Sequence, residues 1–315
     1  MTPPTSTPTT SRDFGAYALG ATLYMPAIHP QAPSIVAGHV PPIAPSIVLC
    51  LEDALNEDDV GRGLAALAAI LRAPIGPNAP RTFVRPRSLA MANDLAGLEG
   101  IGRIAGLVAP KVVPETVEGW FAVAAAADLK IMPTMESATF FDPGTVVALR
   151  EALDDHDRAR IAAIRIGGND LLSALALRRQ PGLTAWEGPL GWVLSMTASI
   201  LGAAGYPLAA PVYDIIPDIA TLRREVDRDV AAGFVSKTAI HPAQVPHIQA
   251  AFRPSREELL QSRAILSNGA RAVFQIGGVM CEPSTHRAWA SRILAREDAF
   301  GEQNDTIAGD DVASA

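Results

Sequence analysis

Cysteine is scarce: Cys50 and Cys281 are the only two in 315 residues. Two unclustered thiols argue against a disulfide framework and suit a reducing compartment. No His/Cys cluster of the kind zinc prefers is present either. Positive charge is in deficit, with 26 Lys and Arg against 33 Asp and Glu, a net charge of −7. No basic stripe with interleaved aromatics occurs, so nucleic acid is not an expected partner. No apolar run reaches membrane-spanning length, the Ala-rich stretch Phe121–Asp128 being too short, so no membrane partner is expected. The opening MTPPTSTPTTS lacks the basic start and apolar segment of a signal peptide. Its Pro and Thr content predicts a disordered tail over residues 1–12, and the cytoplasm is the expected location. No G-x-G-x-x-G follows the first apolar run, which weakens a dinucleotide-binding reading.

Hydrophobic residues make up 49% of the chain, enough for a large core. Eight short apolar runs alternate with longer helical patterns. The runs are Gly20–Pro26, Ser46–Leu51, Thr82–Arg85, Ala105–Pro110, Ile131–Met135, Ile161–Ile166, Leu208–Tyr213 and Val235–Ile240. Continuous rather than alternating hydrophobicity fits parallel strands covered on both faces. Helices are predicted over Glu57–Arg72, from Pro114 through Ala127, and from Pro143 to Asp154, the two prolines serving as first-turn residues. Leu190–Ala204 and Asp218–Ala232 are amphipathic and end at Gly205 and Gly233. Strand-then-helix repeated eight times without a linker predicts an α/β fold, a (β/α)₈ TIM barrel over residues 13–252. An open doubly wound sheet is the competing architecture. Residues 253–300 form a C-terminal helical extension, with Arg256–Gly269 and Glu282–Arg296 as helices joined by a loop, Gln275–Cys281. It is expected to pack on the barrel or a neighbouring subunit. Residues 301–315 are expected to fray.

A parallel barrel places its site at the carboxyl ends of its strands. Polar residues end seven of the eight runs here: Glu52 and Asp53, Arg85, Lys111, Glu136, Asp170, Asp214, and Lys237 with His241. Any one of these alone reads as a surface residue; seven strands in a row do not. Glu136 and Asp170 end adjacent strands, and two converging carboxylates repel unless a cation sits between them. Hard carboxylate oxygens suit Mg²⁺, with Mn²⁺ as the alternative. The bland reading pairs each with a Lys or Arg in a polar layer. Arg85 can grip a substrate carboxylate with its planar fork. Lys111 can hold a carboxyl or phosphate oxygen, orient Glu52 and Asp53, or act as a Schiff-base lysine. Lys237 is a second lysine for substrate binding or that last role. His241 beside Pro242 is expected to be a structural hydrogen-bonding residue.

Six segments carry a family resemblance: Leu51-Glu52-Asp53-Ala54, Phe83-Val84-Arg85, Pro110-Lys111-Val112, Met135-Glu136-Ser137, Gly168-Asn169-Asp170-Leu171, and Lys237 through Gln244. In this order they resemble the aldolase/citrate lyase β-subunit-like family of barrel carbon–carbon lyases. A divergent bacterial branch is the nearer match, through Gly167–Leu172, Ala210–Tyr213, and Met280-Cys281-Glu282-Pro283 with His286 and Trp289. The resemblance implies Mg²⁺ at Glu136 and Asp170, and substrate contact by Arg85. It gives Glu52 and Asp53 the task of supporting the metal's waters and that arginine. It implies a proton carrier at Glu282 that reaches a neighbouring subunit's site, in a homotrimer or hexamer.

The chain departs from the family where Arg-Ser gives way to Ala21-Thr22, where Pro86-Arg87 follows Arg85, and where Glu282 replaces aspartate. Arg87 is the expected substitute for the missing strand-one charge. The expected activity is a Mg²⁺-dependent carbon–carbon bond lyase or aldolase. Its substrate is a small anionic metabolite, a 2-oxo or 3-hydroxy acid or its CoA thioester. The alternatives are a thioester hydrolase on the same scaffold and a non-catalytic barrel that binds an anionic metabolite.

Overall fold

The computed structural model describes residues 13–303; the tails expected at 1–12 and over most of 301–315 lie outside them. Eight parallel strands close into a barrel in chain order: β1 (Ala21–Pro26), β2 (Ser46–Cys50), β3 (Arg81–Arg85), β4 (Gly106–Ala109), β5 (Lys130–Met135), β6 (Ile164–Ile166), β7 (Leu208–Ala210) and β8 (Ser236–Ala239). β8 pairs back onto β1, Lys237 opposite Ala21, so no edge is left open. The open-sheet alternative is thereby excluded. Each strand lies within an expected run or within a residue of it, because all are buried on both faces, as the unbroken burial of β2 shows.

The helices are α1 (Ala32–Val36), α2 (Val60–Arg72), α3 (Leu89–Ala96), α4 (Val117–Ala126), α5 (Pro143–Asp154), α6 (Gly168–Ala174), α7 (Pro189–Thr197), α8 (Ile219–Ala231), α9 (Val245–Ala251), α10 (Arg256–Leu266) and α11 (Pro283–Phe300). Local chemistry sets their starts. Asp142 accepts a hydrogen bond from Gly144 N–H ahead of Pro143, and Asp218 accepts from Thr221 N–H to open α8. Ser255 and Glu258 cap α10 reciprocally. α8 stops where expected, before Gly233 in the left-handed region.

One end of the barrel is plugged. Leu19, Val48, Phe83, Val108 and Met132 pack inside it, with Phe14 edge-on to Phe83. A small hydroxyl cluster closes the same interior: Ser46 Oγ donates to Leu19 O, Ser236 Oγ to Gly20 O, and Thr22 Oγ1 lies 3.0 Å from each serine hydroxyl. Thr22, the departure noted in strand one, therefore has a structural partner set.

The described residues divide into two compact units, the first ending at Ile248 and the second beginning at Gln249. In the second, α10 and α11 pack on Ile265, Cys281 and Ala290. The expected loop Gln275–Cys281 is instead an antiparallel hairpin, β9 (Phe274–Ile276) with β10 (Val279–Cys281). Its turn, Gly277–Gly278, has positive φ at both residues, the geometry that two-residue hairpin loops need. Among the described residues no helix is long and apolar enough to cross a membrane.

Candidate active site

A cavity of about 380 Å³ opens at the carboxyl ends of the strands. Arg85, Asp53, Glu136 and Asp170 line it, and Glu52 and Lys111 bond to that group. Five strands or the turns after them thus deliver six of the expected site residues to one place.

Arg85 is the hub. Its Nε donates to Glu52 Oε2, and its Nη2 reaches Glu136 Oε1 at 3.1 Å, Glu136 Oε2 at 3.2 Å and Asp53 Oδ2 at 3.5 Å. Burial works against its charge, but Glu136 and Glu52 more than offset this and raise its pKa. Lys111 has a left-handed backbone, φ 49°, which aims its N–H at Glu136 Oε1, 2.7 Å away. Its Nζ lies 3.4 Å from Glu52 Oε1. Partial burial would lower the Lys111 pKa, but Glu52 and Asp53 raise it on balance, so the amine stays charged. That is the wrong protonation state for a Schiff-base nucleophile.

Glu136 ends β5 almost fully buried, and Asp170 sits half-buried in the first turn of α6. Gly167 packs directly against Glu136: a Cβ there would meet Glu136 Cβ at 2.4 Å and Oε2 at 2.5 Å. Burial pushes the Glu136 pKa up to about 7, opposed by Arg85 and reinforced by Asp170 and Glu52. Burial and Asp53 raise that of Asp170 as well. Four carboxylates at the mouth thus face Arg85 and Lys111, and even with Arg165 deeper in the same cavity a deficit of positive charge remains when all are ionised. A divalent cation fits that deficit and the all-oxygen donor set. Among the described residues no three His, Cys, Asp or Glu side chains converge as a ready-made cage. The pair would therefore leave most coordination positions to water and substrate oxygens, as Mg²⁺ sites commonly do.

Two expectations are corrected. Lys237 is fully buried and does not line the cavity. Its Nζ bonds Glu225 Oε1 at 2.8 Å and Asp229 Oδ2 at 2.7 Å, within a network that also holds Arg179. It is a structural cation between β8 and α8, unavailable to substrate or to Schiff-base chemistry. Arg87 does not replace the strand-one charge: it clamps the turn after β2, bonding Leu51 O, Leu55 O and Glu57. His241 is structural, its Nδ1 accepting from Ala243 N–H. Gln244 explains the rest of that motif, bridging Ile240 N–H and Tyr213 O. Glu282 lies in the second unit at the start of α11, where Ser284 and Thr285 donate to its carboxylate.

The sequence reading missed Arg165. It sits within β6 between two isoleucines and lines the cavity. A lone arginine inside an apolar strand run was the available signal.

The family profile of C–C bond lyases of the TIM-barrel fold matches residues 13–302. The chain belongs to this family. Among curated relatives, the citrate lyase subunit beta-like protein of Mycobacterium tuberculosis is 28% identical over 265 residues, covering 82% of this chain and 89% of the relative. A (3S)-malyl-CoA thioesterase of Cereibacter sphaeroides is 27% identical over 294 residues, covering 90% and 96%. Among solved structures, CitE of M. tuberculosis in complex with magnesium, acetoacetate and coenzyme A superposes with a TM-score of 0.66 at 24% identity. That match covers 91% of this chain and 99% of that one. RipC from Yersinia pestis gives 0.60 at 21% identity, covering 77% and 99%. At these identities the superpositions show the fold. The family resemblance read from the six segments is thereby borne out.

Proposed function

We propose that this C–C bond lyase family member is a divalent-metal-dependent lyase or aldolase. It would cleave or form a bond beside a carbonyl in a small 2-oxo or 3-hydroxy acid, or in its CoA thioester. The observation that carries this reading is the charge deficit at the barrel mouth, with Glu136 and Asp170 delivered by neighbouring strands beside a buried arginine. Glu136 and Asp170 would hold the ion, Mg²⁺ or Mn²⁺. When bound, such an ion supplies Lewis-acid stabilisation of negative charge on a carbonyl oxygen.

The chain's own groups do the rest. Arg85, locked by Glu52 and Glu136, presents a charged donor that does not reorganise as charge grows on an enolate oxygen. Lys111 holds Glu52 in place through the contact of its Nζ with Oε1. Asp53, exposed at the rim, is placed to move a proton, alone or through water. Glu282 is the further proton carrier, acting in a neighbouring copy of a homotrimer or hexamer. Two free, buried cysteines are in keeping with a cytoplasmic protein.

A second reading, thioester hydrolysis, is favoured by the malyl-CoA thioesterase relative, which aligns over nearly its whole length. Product analysis with a 3-hydroxyacyl-CoA separates the two, since hydrolysis leaves the carbon skeleton intact. Asp170→Ala tests the site itself: Mg²⁺ binding and turnover should vanish together. Wild-type activity in that variant would refute the assignment.

A further inference from the structure

One buried cation at the cavity has no task in this scheme. Arg165 is 2% exposed and faces the barrel interior from β6. The other three buried arginines each form an ion pair with a carboxylate: Arg85 with Glu52 and Glu136, Arg179 with Glu225, Arg296 with Glu258. Among the described residues Arg165 forms none. Of its five N–H donors, one goes to Thr238 Oγ1 and one to the weakly accepting sulfur of Met132. The Tyr24 side chain is a further hydrogen-bonding partner, its ring 5.2 Å from the guanidinium carbon, and none of these partners is a carboxylate. Beside it on β5, in register, is Thr134, also 2% exposed, whose hydroxyl has no hydrogen-bond partner. Arg165, Thr134, Thr238 and Tyr24 all line the cavity that holds Glu136 and Asp170.

Burying a guanidinium without a counter-charge is costly, and so is burying an unbonded hydroxyl. Both costs falling on neighbouring groups that face one cavity are repaid if a ligand brings the missing acceptor. We propose that Arg165, with Thr134 and Thr238, forms an anion subsite inside the barrel that takes the second carboxylate of a short dicarboxylic substrate. This deepens the functional reading above and rests on it for the other end of the substrate, which Arg85 and the acidic pair hold at the mouth. A carboxylate fits better than a phosphate group: one guanidinium balances one negative charge, and its planar fork matches two carboxylate oxygens.

The test is calorimetric titration of the full chain in Mg²⁺ with malate and with lactate. Both carry a 2-hydroxy carboxylate; only malate has a second one. Wild type should favour malate by about tenfold or more, the usual effect of a charge-assisted hydrogen bond. Arg165→Met should lower malate affinity to that of lactate and leave lactate unchanged, with a melting temperature no lower than wild type. Thr134→Val, which adds no charge, should weaken malate binding several-fold and spare lactate; it decides the matter alone if R165M folds poorly. A malate preference that survives in both variants, or is missing in wild type, overturns the inference. Repeating the titrations in EDTA separates the two readings. A preference for malate that persists without metal and needs Arg165 keeps the subsite and sinks the metal site. Metal-dependent binding with an Arg165-independent preference does the reverse.

Discussion

Replacing Glu136 by glutamine should make the metal-free protein more stable at pH 8, although it removes a proposed metal ligand. The reasoning starts from burial. The Glu136 side chain is 1% exposed, and burial raises its pKa to about 7 from an ordinary 4.5 despite the opposing Arg85. The unfolded chain therefore releases this proton near pH 4.5, and the folded chain holds it to about pH 7. A raised acid pKa means stability that is complete below pH 4.5, declines as the pH rises through that window, and is gone above about 7. At 1.36 kcal/mol per pH unit the loss comes to about 3 kcal/mol. Glutamine is close to the protonated acid in shape and charge. Its carbonyl can still accept from Lys111 N–H, but its amide cannot accept from Arg85 as Oε2 does. The net gain at pH 8 should thus be about 1–3 kcal/mol, several degrees in melting temperature for a chain of this size.

The assay is a melting series of wild type and E136Q from pH 4.5 to 8.5, in EDTA and in millimolar Mg²⁺. In EDTA the variant's advantage should be near zero at the acid end, grow between pH 4.5 and 7, and level off. In Mg²⁺ wild type should recover, since a cation bound only by the folded state adds stability and repels the proton. The variant should show no such recovery. A stability difference that is flat across pH, or a variant less stable than wild type at pH 8 in EDTA, would show that Glu136 is not a strained, cation-seeking carboxylate.

Other substitutions probe the surroundings. Lys237→Met leaves Glu225 and Asp229 buried beside Arg179 alone. It should cost about 3–5 kcal/mol, read as a lower urea midpoint, while borohydride with substrate traps nothing on residue 237 even in wild type. Gly167→Ala places a methyl 2.5 Å from Glu136 Oε2 and should weaken Mg²⁺ binding by tenfold or more, as seen by titration, with little change in fold by circular dichroism. Arg87→Ala should loosen the turn after β2 and leave ligand affinity within a few-fold of wild type. A large, selective loss of affinity would return Arg87 to the site.

The fold was legible because its signal is redundant. Most strands are apolar runs, β8 with Lys237 and its flanking hydroxyls being the exception, and closing eight of them in order needs no long-range surprise. The hairpin at Phe274–Cys281 was missed for a local reason: its strands are three residues each, and only the Gly-Gly pair announced the turn. The site was partly legible, since position at a strand end brings a side chain to the mouth. Glu136, Asp170, Arg85, Glu52, Asp53 and Lys111 all obeyed that rule.

Lys237 and Arg165 show what the rule omits. Both lie within strands, both are cations, and both are fully enclosed, yet one is saturated by Glu225 and Asp229 and the other pairs with no carboxylate among the described residues. Side-chain parity decides between them: Lys237 points outward toward α8, whereas Arg165 points in, level with Thr134 and Thr238. A sequence gives parity only when the strand register is fixed, and here it is fixed by Arg165 standing opposite Thr134 on one side and Ala209 on the other. The acidic pair at the mouth attracts a cation, and the unpaired guanidinium within attracts an anion. A ligand that satisfies both must carry a chelating oxygen at one end and a negative charge at the other, and this polarity along the barrel axis is a stricter filter on substrates than the family alone supplies.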